Sequence, residues 1–328
     1  MPLAFVTGGS GFIGSHVLRC LIRRGWKVRT LTRRKRLPCF LHLPEVSWIY
    51  GTLHNSDLLR QAMKGCDALF HVAADYRLWA RNPAEIYFNN VDGTRCVLKV
   101  ATEVKIGRVV YTSSVGALGL NDDGTPANET TPVTIHDMVG HYKRSKYLAE
   151  REAERFAREG LDVVIVNPST PIGPGDYKPT PTGKIIVDFM NGRMPAYVNT
   201  GLNFVDVRDV AEGHLLAYEK GRTGEKYILG CCNMSLKEFL DKLSEVCGIP
   251  TPKYRIPLPI VKTAALICEA MSRFTGIPPA VPLEGVRMSE HFMYFDVSKA
   301  VRELGLPQSP IDVAIKDAVH WYIEHGYC

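Results

Sequence analysis

The sequence predicts an α/β protein built on a doubly wound parallel sheet, with a smaller C-terminal lobe. Three observations support this prediction: a glycine-rich turn between an apolar strand and an amphipathic helix near the N-terminus, an alternation of strands and helices as far as residue 167, and apolar runs such as residues 163–166. Strands that are apolar at every position are typical of a parallel sheet covered by helices on both faces. Right-handed crossovers then give a Rossmann-type topology.

The composition is that of an ordinary globular protein. Of the 328 residues, 45% are hydrophobic and 23% charged, and the net charge of +6 by itself indicates no nucleic-acid surface. The nine cysteines form no CxxC pair and the ten histidines show no zinc-ligand spacing, so we expect reduced thiols and no metal site. There is no recognisable leader and no apolar run of roughly 18 residues, which predicts a cytoplasmic protein without a membrane span.

The first predicted strand ends in a glycine-rich stretch. Gly9, Gly11 and Gly14 have the G-x-G-x-x-G spacing, and Gly8 adds a fourth glycine. Such glycines let the backbone bend sharply and approach a pyrophosphate, and the last lets the helix pack closely on the strand. The N-terminus of the following helix supplies free N–H groups for the anion. The sequence therefore predicts a dinucleotide site, formed here by Gly8, Gly11, Phe12, Ile13 and Gly14.

The next elements alternate between strands and helices. The predicted strands are residues 27–32, 46–50, 68–73, 108–112 and 162–167. The predicted helices between them are residues 57–63, 85–103 and 141–158. Both sets rest on the spacing of apolar residues, which is near 3.6 in the helices and nearly continuous in several strands.

The character of the chain changes after residue 167. Prolines and glycines cluster at 168–175 and at 179–183, which predicts a loop that covers the substrate, with Thr182 as a candidate contact. Later predicted elements are shorter, namely a helix at 207–219, a strand at 226–229 and helices from Ser235, Pro259 and Pro310. We therefore predict a dinucleotide-binding domain, 1–167, and a mainly substrate-binding lobe, 168–328, with some later segments returning to the first domain.

The end of the second predicted strand indicates which dinucleotide is bound. NAD-binding units carry an acidic residue about 20 positions after the glycines, where it holds the ribose hydroxyls. This chain has Thr32 and Arg33 there, followed by Arg34, Lys35 and Arg36. An arginine at that point suits the extra 2′-phosphate of NADP. We predict NADP rather than NAD, with Arg33 and Lys35 as contacts; a solvated basic loop is the alternative.

A second group of candidate residues lies on the predicted helix 141–158. Tyr142 alone among the 14 tyrosines has a lysine, Lys146, four residues later, which places both on one helix face. An ammonium beside a phenol lowers the phenol pKa from about 10, so that tyrosine can act as a general acid or base near neutral pH. The preceding strand ends in Thr112, Ser113 and Ser114, whose hydroxyls fall at the carboxyl edge of the sheet, where ligands bind.

Together these motifs resemble the extended short-chain dehydrogenase/reductases, the NAD-dependent epimerase/dehydratase family. Further matching stretches are His71-Val72-Ala73-Ala74, Asn90-Val91-Asp92-Gly93-Thr94 and Ser113-Ser114. The resemblance implies a triad in which Tyr142 is the general acid or base, Lys146 tunes it and holds the nicotinamide ribose, and Ser114 orients the substrate oxygen. It also implies further cofactor contacts, which are Leu53, Ala73, Ala74, Asn90, Thr112, Pro168 and Ser169.

Two positions depart from the family pattern. The family often has Gly-Asp-Leu after the third strand, with the aspartate near adenine, whereas this chain has Gly51-Thr52-Leu53. The family also often has a histidine in a Phe-Val-His-Val stretch, where this chain has Asp206. Only the backbone part of the adenine contact is therefore carried over.

A narrower resemblance, to the hopanoid-associated sugar epimerases and the dihydroflavonol 4-reductases, rests on residues 71–81, 141–152 and 167–183. It implies hydride transfer at a secondary alcohol or ketone carbon. An epimerase would use one retained cofactor twice, and a net reductase would exchange its cofactor; the sequence leaves both open. A non-catalytic redox sensor is a third alternative, which the presence of Tyr142, Lys146 and Ser114 disfavours.

The segment after the fourth predicted strand is a candidate substrate wall. It contributes Asp75, Tyr76, Arg77 and Trp79, in addition to Ser114 and Thr182 from elsewhere in the chain. Arg77 or Arg81 could meet a phosphate, as in a nucleotide sugar, and the aromatic residues could stack on a ring. The alternative is that Trp79 and its neighbour Leu78 pack the loop down. We expect a small-molecule substrate, either sugar-like or a polycyclic carbonyl compound. The resemblance to the extended short-chain dehydrogenase/reductases, which are often dimers through paired helices, implies a possible homodimer through helices 85–103 and 141–158.

The predicted helix from Pro259 is apolar on much of its surface. Most helices of this kind belong to a core. A lid or a lipid-facing patch is the alternative.

Overall fold

The computed structural model describes residues 1–328, and two sets of elements build it. The strands are β1 Leu3–Thr7, β2 Lys27–Thr32, β3 Val46–Tyr50, β4 Ala68–His71, β5 Arg108–Thr112, β6 Val163–Pro168, β7 Thr170–Ile172, β8 Ala196–Tyr197, β9 Gly201–Asp206, β10 Lys226–Leu229, β11 Cys232–Ser235 and β12 Tyr254–Arg255. The helices are α1 Phe12–Arg23, α2 Ser56–Met63, α3 Ala84–Tyr87, α4 Gly93–Glu103, α5 Gly140–Arg158, α6 Pro181–Met190, α7 Val207–Lys220, α8 Leu236–Cys247, α9 Leu258–Thr275, α10 Leu283–Met288, α11 Ser298–Leu304 and α12 Ile311–Glu324.

The central sheet has seven strands in the order β10-β6-β5-β4-β1-β2-β3, and every pair is parallel. The strand order reverses between β1 and β4, which is where a doubly wound sheet opens a crevice at its carboxyl edge. The predicted fold class is confirmed. All six strands predicted up to residue 167 lie in this sheet, and β10 is the seventh.

Helices cover both faces of the sheet, as the apolar strands require. On one face α1, α7 and α11 pack against the sheet around a core that includes Leu18, Leu215 and Leu304. On the other face α2, α4 and α5 pack around a second core that includes Leu59 and Leu98. The strand residues 163–166 are fully buried between these layers.

A smaller lobe stands on the carboxyl edge of the sheet. It contains the three-stranded sheet β11-β9-β7 and a separate core in which Phe204 stacks on Phe239 with ring centres 4.5 Å apart. The elements α7, β10 and α11 come from beyond residue 167 and yet pack on the central sheet. The boundary at residue 167 itself stays a prediction.

Two elements differ from the sequence prediction. The predicted helix 85–103 is interrupted by a π-helical segment, Phe88–Asp92, between α3 and α4. The predicted loop at 179–183 is wrong in its second half, because α6 begins at Pro181. Thr180 caps this helix by accepting the Gly183 N–H at 3.1 Å, and proline fits the first turn, where a helix needs no N–H donor.

None of the helices combines the length and the hydropathy that crossing a bilayer would need.

Candidate active site

A cavity of about 1400 Å³ lies between the carboxyl edge of the central sheet and the smaller lobe. We call its two walls the sheet half and the lobe half. The sheet half is lined by residues 8, 10–14, 31–34, 51–54, 72–76, 88–89, 112–116, 142 and 168–169. The lobe half is lined by the remaining wall residues, from Thr170 to Met293 and including Leu78.

The glycine turn forms the floor of the sheet half. Gly8 has a φ of +75°, and a Cβ there would lie 2.6 Å from the backbone nitrogen of Ala73. A Cβ on Gly14 would collide with the carbonyl oxygen of Gly8. The Gly11 N–H donates to that same carbonyl at 2.8 Å, which closes the turn. The turn therefore needs these glycines for its own geometry and leaves the N-terminus of α1 open to the cavity.

One end of the sheet half is basic. Arg33 and Arg34 line it, and the Arg34 guanidinium lies 5.1 Å from the centre of the Tyr177 ring. Lys178 faces them from the other wall; desolvation lowers its pKa, and the nearby Arg34 and Arg33 charges lower it further. Lys35, which the sequence grouped with Arg33, is exposed and does not line the cavity.

Tyr142 and Ser114 meet in the middle of the cavity wall. Tyr142 comes from the first turn of α5, and Ser114 follows β5. Burial raises the pKa of Tyr142, and its hydrogen bond with Ser114 acts in the opposite direction. The sequence predicted that Lys146 would lower this pKa, but Lys146 is not among the groups that shift it.

Lys146 lies behind Tyr142 and is buried. Its ammonium donates to the Thr112 carbonyl at 2.8 Å and to the Tyr111 hydroxyl at 3.4 Å. Burial lowers its pKa to about 8, and Glu150 partly opposes this shift. The ammonium therefore bonds to the end of β5, which explains why its charge is directed away from the phenol.

Asn90 is buried behind the wall and hydrogen-bonds to two neighbouring segments. It sits in the π-helical segment, where its side chain donates to Ser145 Oγ at 2.8 Å and to the Asp75 carbonyl at 2.9 Å. Its Oδ1 accepts the Asp75 N–H at 2.7 Å. Asn90 therefore ties the segment after β4 to α5.

The candidate substrate residues divide into two groups. Asp75, Tyr76, Ser114 and Thr182 line the cavity, whereas Arg77 and Trp79 do not. The other predicted cofactor residues that line it are Gly8, Gly11, Phe12, Ile13, Gly14, Leu53, Ala73, Ala74, Thr112, Pro168 and Ser169.

The Arg77 guanidinium is occupied by carboxylates. It lies 2.7 Å from Asp75 and 3.1 Å from Glu85, so both of its neighbours already neutralise its charge. Arg81 does not line the cavity either. The prediction that one of these arginines meets a substrate phosphate finds no support in this arrangement.

The lobe half is predominantly apolar. Its side chains include Leu78, Ile185, Met194, Val198, Leu202, Val261, Val281, Val286, Met288 and Met293. Of its cations, Lys184 pairs with Asp188 on the next turn of α6. Lys178 lies at the basic end described above.

Several wall atoms have unused hydrogen-bonding capacity. The side-chain hydroxyls of Ser113 and Ser169 are buried and have no hydrogen-bond partner within the chain. The same holds for Nε2 of His54. All three residues line the sheet half, beside the glycine turn and the basic end. Buried polar atoms are normally paired. This donor set, the glycine floor and the two arginines fit an extended phosphate-bearing dinucleotide.

Sequence analysis missed two wall residues, His54 and Tyr177. The Tyr177 hydroxyl donates to the Ser10 carbonyl at 2.7 Å, so the segment after β7 crosses over the glycine turn. The His54 ring stacks on Phe88 with ring centres 3.7 Å apart. Neither residue belongs to a spaced motif, and only the fold brings them to this wall. Asp206, the departure from the family pattern, instead caps α7 by accepting the Arg208 N–H at 2.7 Å.

Comparison with known proteins gives a consistent family assignment. The model of the NAD dependent epimerase/dehydratase family matches residues 4–230. A Synechocystis protein provisionally named as a dihydroflavonol 4-reductase is 51% identical over 327 residues, covering 98% of this chain and 95% of its own length. Sterol demethylase protein B of Methylococcus capsulatus is 35% identical over 323 residues, covering 98% of each chain. The crystal structure of gox2253 superposes with a TM-score of 0.89 at 45% identity, covering 100% of this chain and 99% of that one.

Proposed function

The chain belongs to the NAD dependent epimerase/dehydratase family and is an NAD(P)-dependent oxidoreductase, and from that premise we propose its reaction and substrate class. We propose that it transfers hydride between NADP(H) and a secondary alcohol or ketone carbon of a largely apolar, ring-containing substrate. The observation that carries this proposal is that Tyr142 and Ser114 line the same cavity as the apolar lobe half, and that α10 of this half reaches the start of α5, where Glu284 accepts the His141 N–H at 2.6 Å.

Tyr142 and Ser114 divide the work at the substrate oxygen. The Tyr142 hydroxyl donates its proton to the oxygen during reduction and accepts it back during oxidation. The Ser114 hydroxyl orients that oxygen, and its hydrogen bond with Tyr142 keeps the two groups together. The nicotinamide supplies or accepts the hydride when it is bound.

Lys146 and Asn167 act as positioning residues in this proposal. Lys146 fixes the end of β5 through the Thr112 carbonyl, and its ammonium would hold the nicotinamide ribose of a bound cofactor. Asn167 donates to the Ser114 carbonyl at 3.0 Å and to buried Glu150 at 2.8 Å, which anchors Ser114 from behind. These bonds hold the proton-transfer pair against a fixed sheet edge.

The basic end supports NADP over NAD. Arg33 and Arg34 line the cavity near Lys178, and none of the three side chains pairs with a carboxylate within 4.0 Å. Converging unpaired cations suit a phosphate monoester, which a guanidinium can hold with two parallel hydrogen bonds.

The lobe half supports an apolar substrate rather than a nucleotide sugar. A nucleotide sugar brings two phosphates, whereas neither arginine of the segment after β4 lines the cavity and Arg77 already has two carboxylate partners. The names of the two relatives, a dihydroflavonol reductase and a sterol demethylase component, also indicate fused-ring compounds. A polycyclic carbonyl compound such as a hopanoid derivative belongs to the same class.

Epimerisation is a second candidate, and one observation favours it. The Tyr177–Ser10 hydrogen bond holds the segment after β7 across the glycine turn, where it would slow exchange of a bound dinucleotide. An epimerase benefits from such retention because it regenerates its own cofactor in each cycle, whereas a net reductase must exchange it.

The test follows NADPH absorbance while cyclic and polycyclic ketones are added to the wild-type protein and to Tyr142→Phe. We expect substrate-dependent NADPH loss, reduced about 10²- to 10⁴-fold by the substitution. If no carbonyl compound consumes NADPH and the purified protein retains dinucleotide through dialysis, the net-reductase proposal is wrong and epimerisation is favoured. Equal rates for the two proteins would contradict the role of Tyr142.

A further inference from the structure

One face of α9 exposes large apolar side chains that no other part of the chain covers. Ile267 is 58%, Met271 60% and Phe274 91% exposed, and Ile260 lies on the same side two turns earlier. Successive members of this row, from Ile260 to Phe274, are 7, 4 and 3 residues apart, which places all four side chains on one helix face. We call this set, with Tyr254, the α9 face.

The α9 face is unusual for this protein. Within α9 only Ala265 and Ser272 are buried, so the helix touches the lobe along a narrow line. Single exposed apolar residues, such as Ile323 on α12, are ordinary on protein surfaces. A contiguous row of them on one helix marks an interaction surface.

The surroundings of the α9 face are basic. Residues 251–290 contain five basic and three acidic residues. Two of the acids are already paired, Glu290 with Lys262 at 2.8 Å and Glu269 with Arg273 at 3.7 Å. Lys253 and Arg255, on either side of the exposed Tyr254, are themselves exposed. An apolar face with basic flanks and an interfacial aromatic residue is typical of helices that lie on anionic bilayers.

The catalytic cavity lies next to this face. Val261 of α9 lines the lobe half, as do residues 280–282 just after α9, and Ala280 is also exposed to solvent. Part of the cavity wall therefore lies on, and just after, the helix whose outer side is apolar.

We propose that the α9 face docks the protein on an anionic lipid bilayer, with α9 lying in the plane of the interface. The helix is too short and too polar to cross the membrane, so the contact is peripheral and reversible. Docking in this orientation brings this part of the cavity wall close to the lipid surface. The value of this orientation rests on the proposed function, because only an apolar substrate would pass between the bilayer and the cavity.

A second copy of the chain fits this surface less well. A two-fold contact centred on the α9 face would set Lys253 and Arg255 of each copy against the far end of the other copy's α9, where Arg273 lies and the one carboxylate, Glu269, is already paired. An anionic bilayer can bury the apolar row and attract the basic flanks at the same time.

The experiment is co-sedimentation of the full chain with vesicles of phosphatidylcholine alone or mixed with phosphatidylglycerol, at low and high salt. We expect binding to the mixed vesicles that weakens with salt. The triple variant Ile267→Glu, Met271→Glu, Phe274→Glu changes only exposed side chains, and we expect its bound fraction to fall at least about tenfold. The pair Lys253→Glu, Arg255→Glu removes the preference for phosphatidylglycerol.

Two controls separate the outcomes. Val313→Glu with Ile323→Glu on α12 alters equally exposed apolar residues and leaves binding unchanged. Tyr142→Phe also binds normally, so failure of the proposed reaction is distinguishable from failure of docking. Wild-type protein that stays in the supernatant with mixed vesicles overturns the proposal. So does light scattering that shows a dimer converted to a monomer by the triple variant, without any vesicle binding.

Discussion

The sheet half and the lobe half of the cavity are built in different ways. The sheet half is formed by short stretches at the carboxyl ends of parallel strands, where backbone groups and glycines define the surface. The lobe half is assembled from side chains of α6, β9, α9 and α10, which are far apart in the chain. The first wall therefore tolerates almost no change of backbone shape, while the second changes its specificity through side chains alone.

The largest expected effect contrasts one glycine in each half. Gly14→Ala places a methyl group of α1 against the Gly8 carbonyl, which is a backbone atom and not the end of a flexible side chain. We expect a loss of about 1–3 kcal/mol in unfolding free energy and no measurable NADPH binding, measured by urea unfolding and by fluorescence titration.

Gly285→Ala in the lobe half is the matched control. Its Cβ would lie 3.6 Å from Leu78, an ordinary contact, and alanine is the better helix former. We expect normal NADPH binding and unchanged or slightly raised stability. Equal damage from both substitutions would remove the distinction between the two halves.

The second effect concerns Asp176, which lines the lobe half. Burial raises the pKa of this carboxyl group to about 6, although its Oδ2 accepts hydrogen bonds from Thr180 and Tyr322. The folded protein therefore holds this proton more tightly than the unfolded chain, so stability falls as the pH rises from about 4 to about 6.

Asp176→Asn removes this pH dependence. The unfolding free energy of the variant relative to that of wild type should rise by on the order of 2–3 kcal/mol between pH 4 and pH 7, because each unit of pKa shift is worth about 1.4 kcal/mol. Urea unfolding of both proteins at the two pH values measures the gain. Parallel stability profiles would show that the carboxyl group titrates alike in both states.

A smaller effect tests the basic end of the sheet half. Arg33→Ala with Arg34→Ala should weaken NADPH binding about 10- to 100-fold, the range expected for lost charge-assisted hydrogen bonds. NADH binding should hardly change, because NADH lacks the 2′-phosphate. Lys35→Ala is the matched control, since Lys35 is basic but off the cavity wall. Equal losses for the two dinucleotides would contradict NADP selectivity.

The same difference explains what the sequence could predict. The parallel sheet, the glycine turn and the position of Ser114 at the carboxyl edge follow from local patterns, because the ends of parallel strands share one edge of a sheet. The pairing of Tyr142 with Ser114 follows from the family resemblance. The structure places nearly all of these predicted residues on the cavity wall. Lys35, Arg77 and Trp79 are exceptions that lie off the wall, and Asn90 and Lys146 are exceptions that lie behind the wall and bond to it.

Apart from Thr182, the substrate side of the cavity was beyond prediction for physical reasons. Arg77 looked available in the sequence, but Asp75 and Glu85 occupy its guanidinium at 2.7 and 3.1 Å. The capping signal of Thr180 and Pro181 was present and was outweighed by the density of prolines around it. The apolar wall itself joins residues from 185 to 293, and no periodic pattern links them.

The smallest expected effect tests whether apolar contact in the lobe half selects the substrate. Val281→Thr keeps the shape of the side chain and replaces one methyl group by a hydroxyl on the cavity wall. If an apolar skeleton packs there, KM for the ketone should rise several-fold, since one buried methyl group is worth about 0.8 kcal/mol. The affinity for NADPH should not change, because Val281 belongs to the lobe half and not to the sheet half. A lowered kcat with unchanged KM would instead mean that the lobe half acts on the reacting atoms. The division of labour between the two halves would then be wrong.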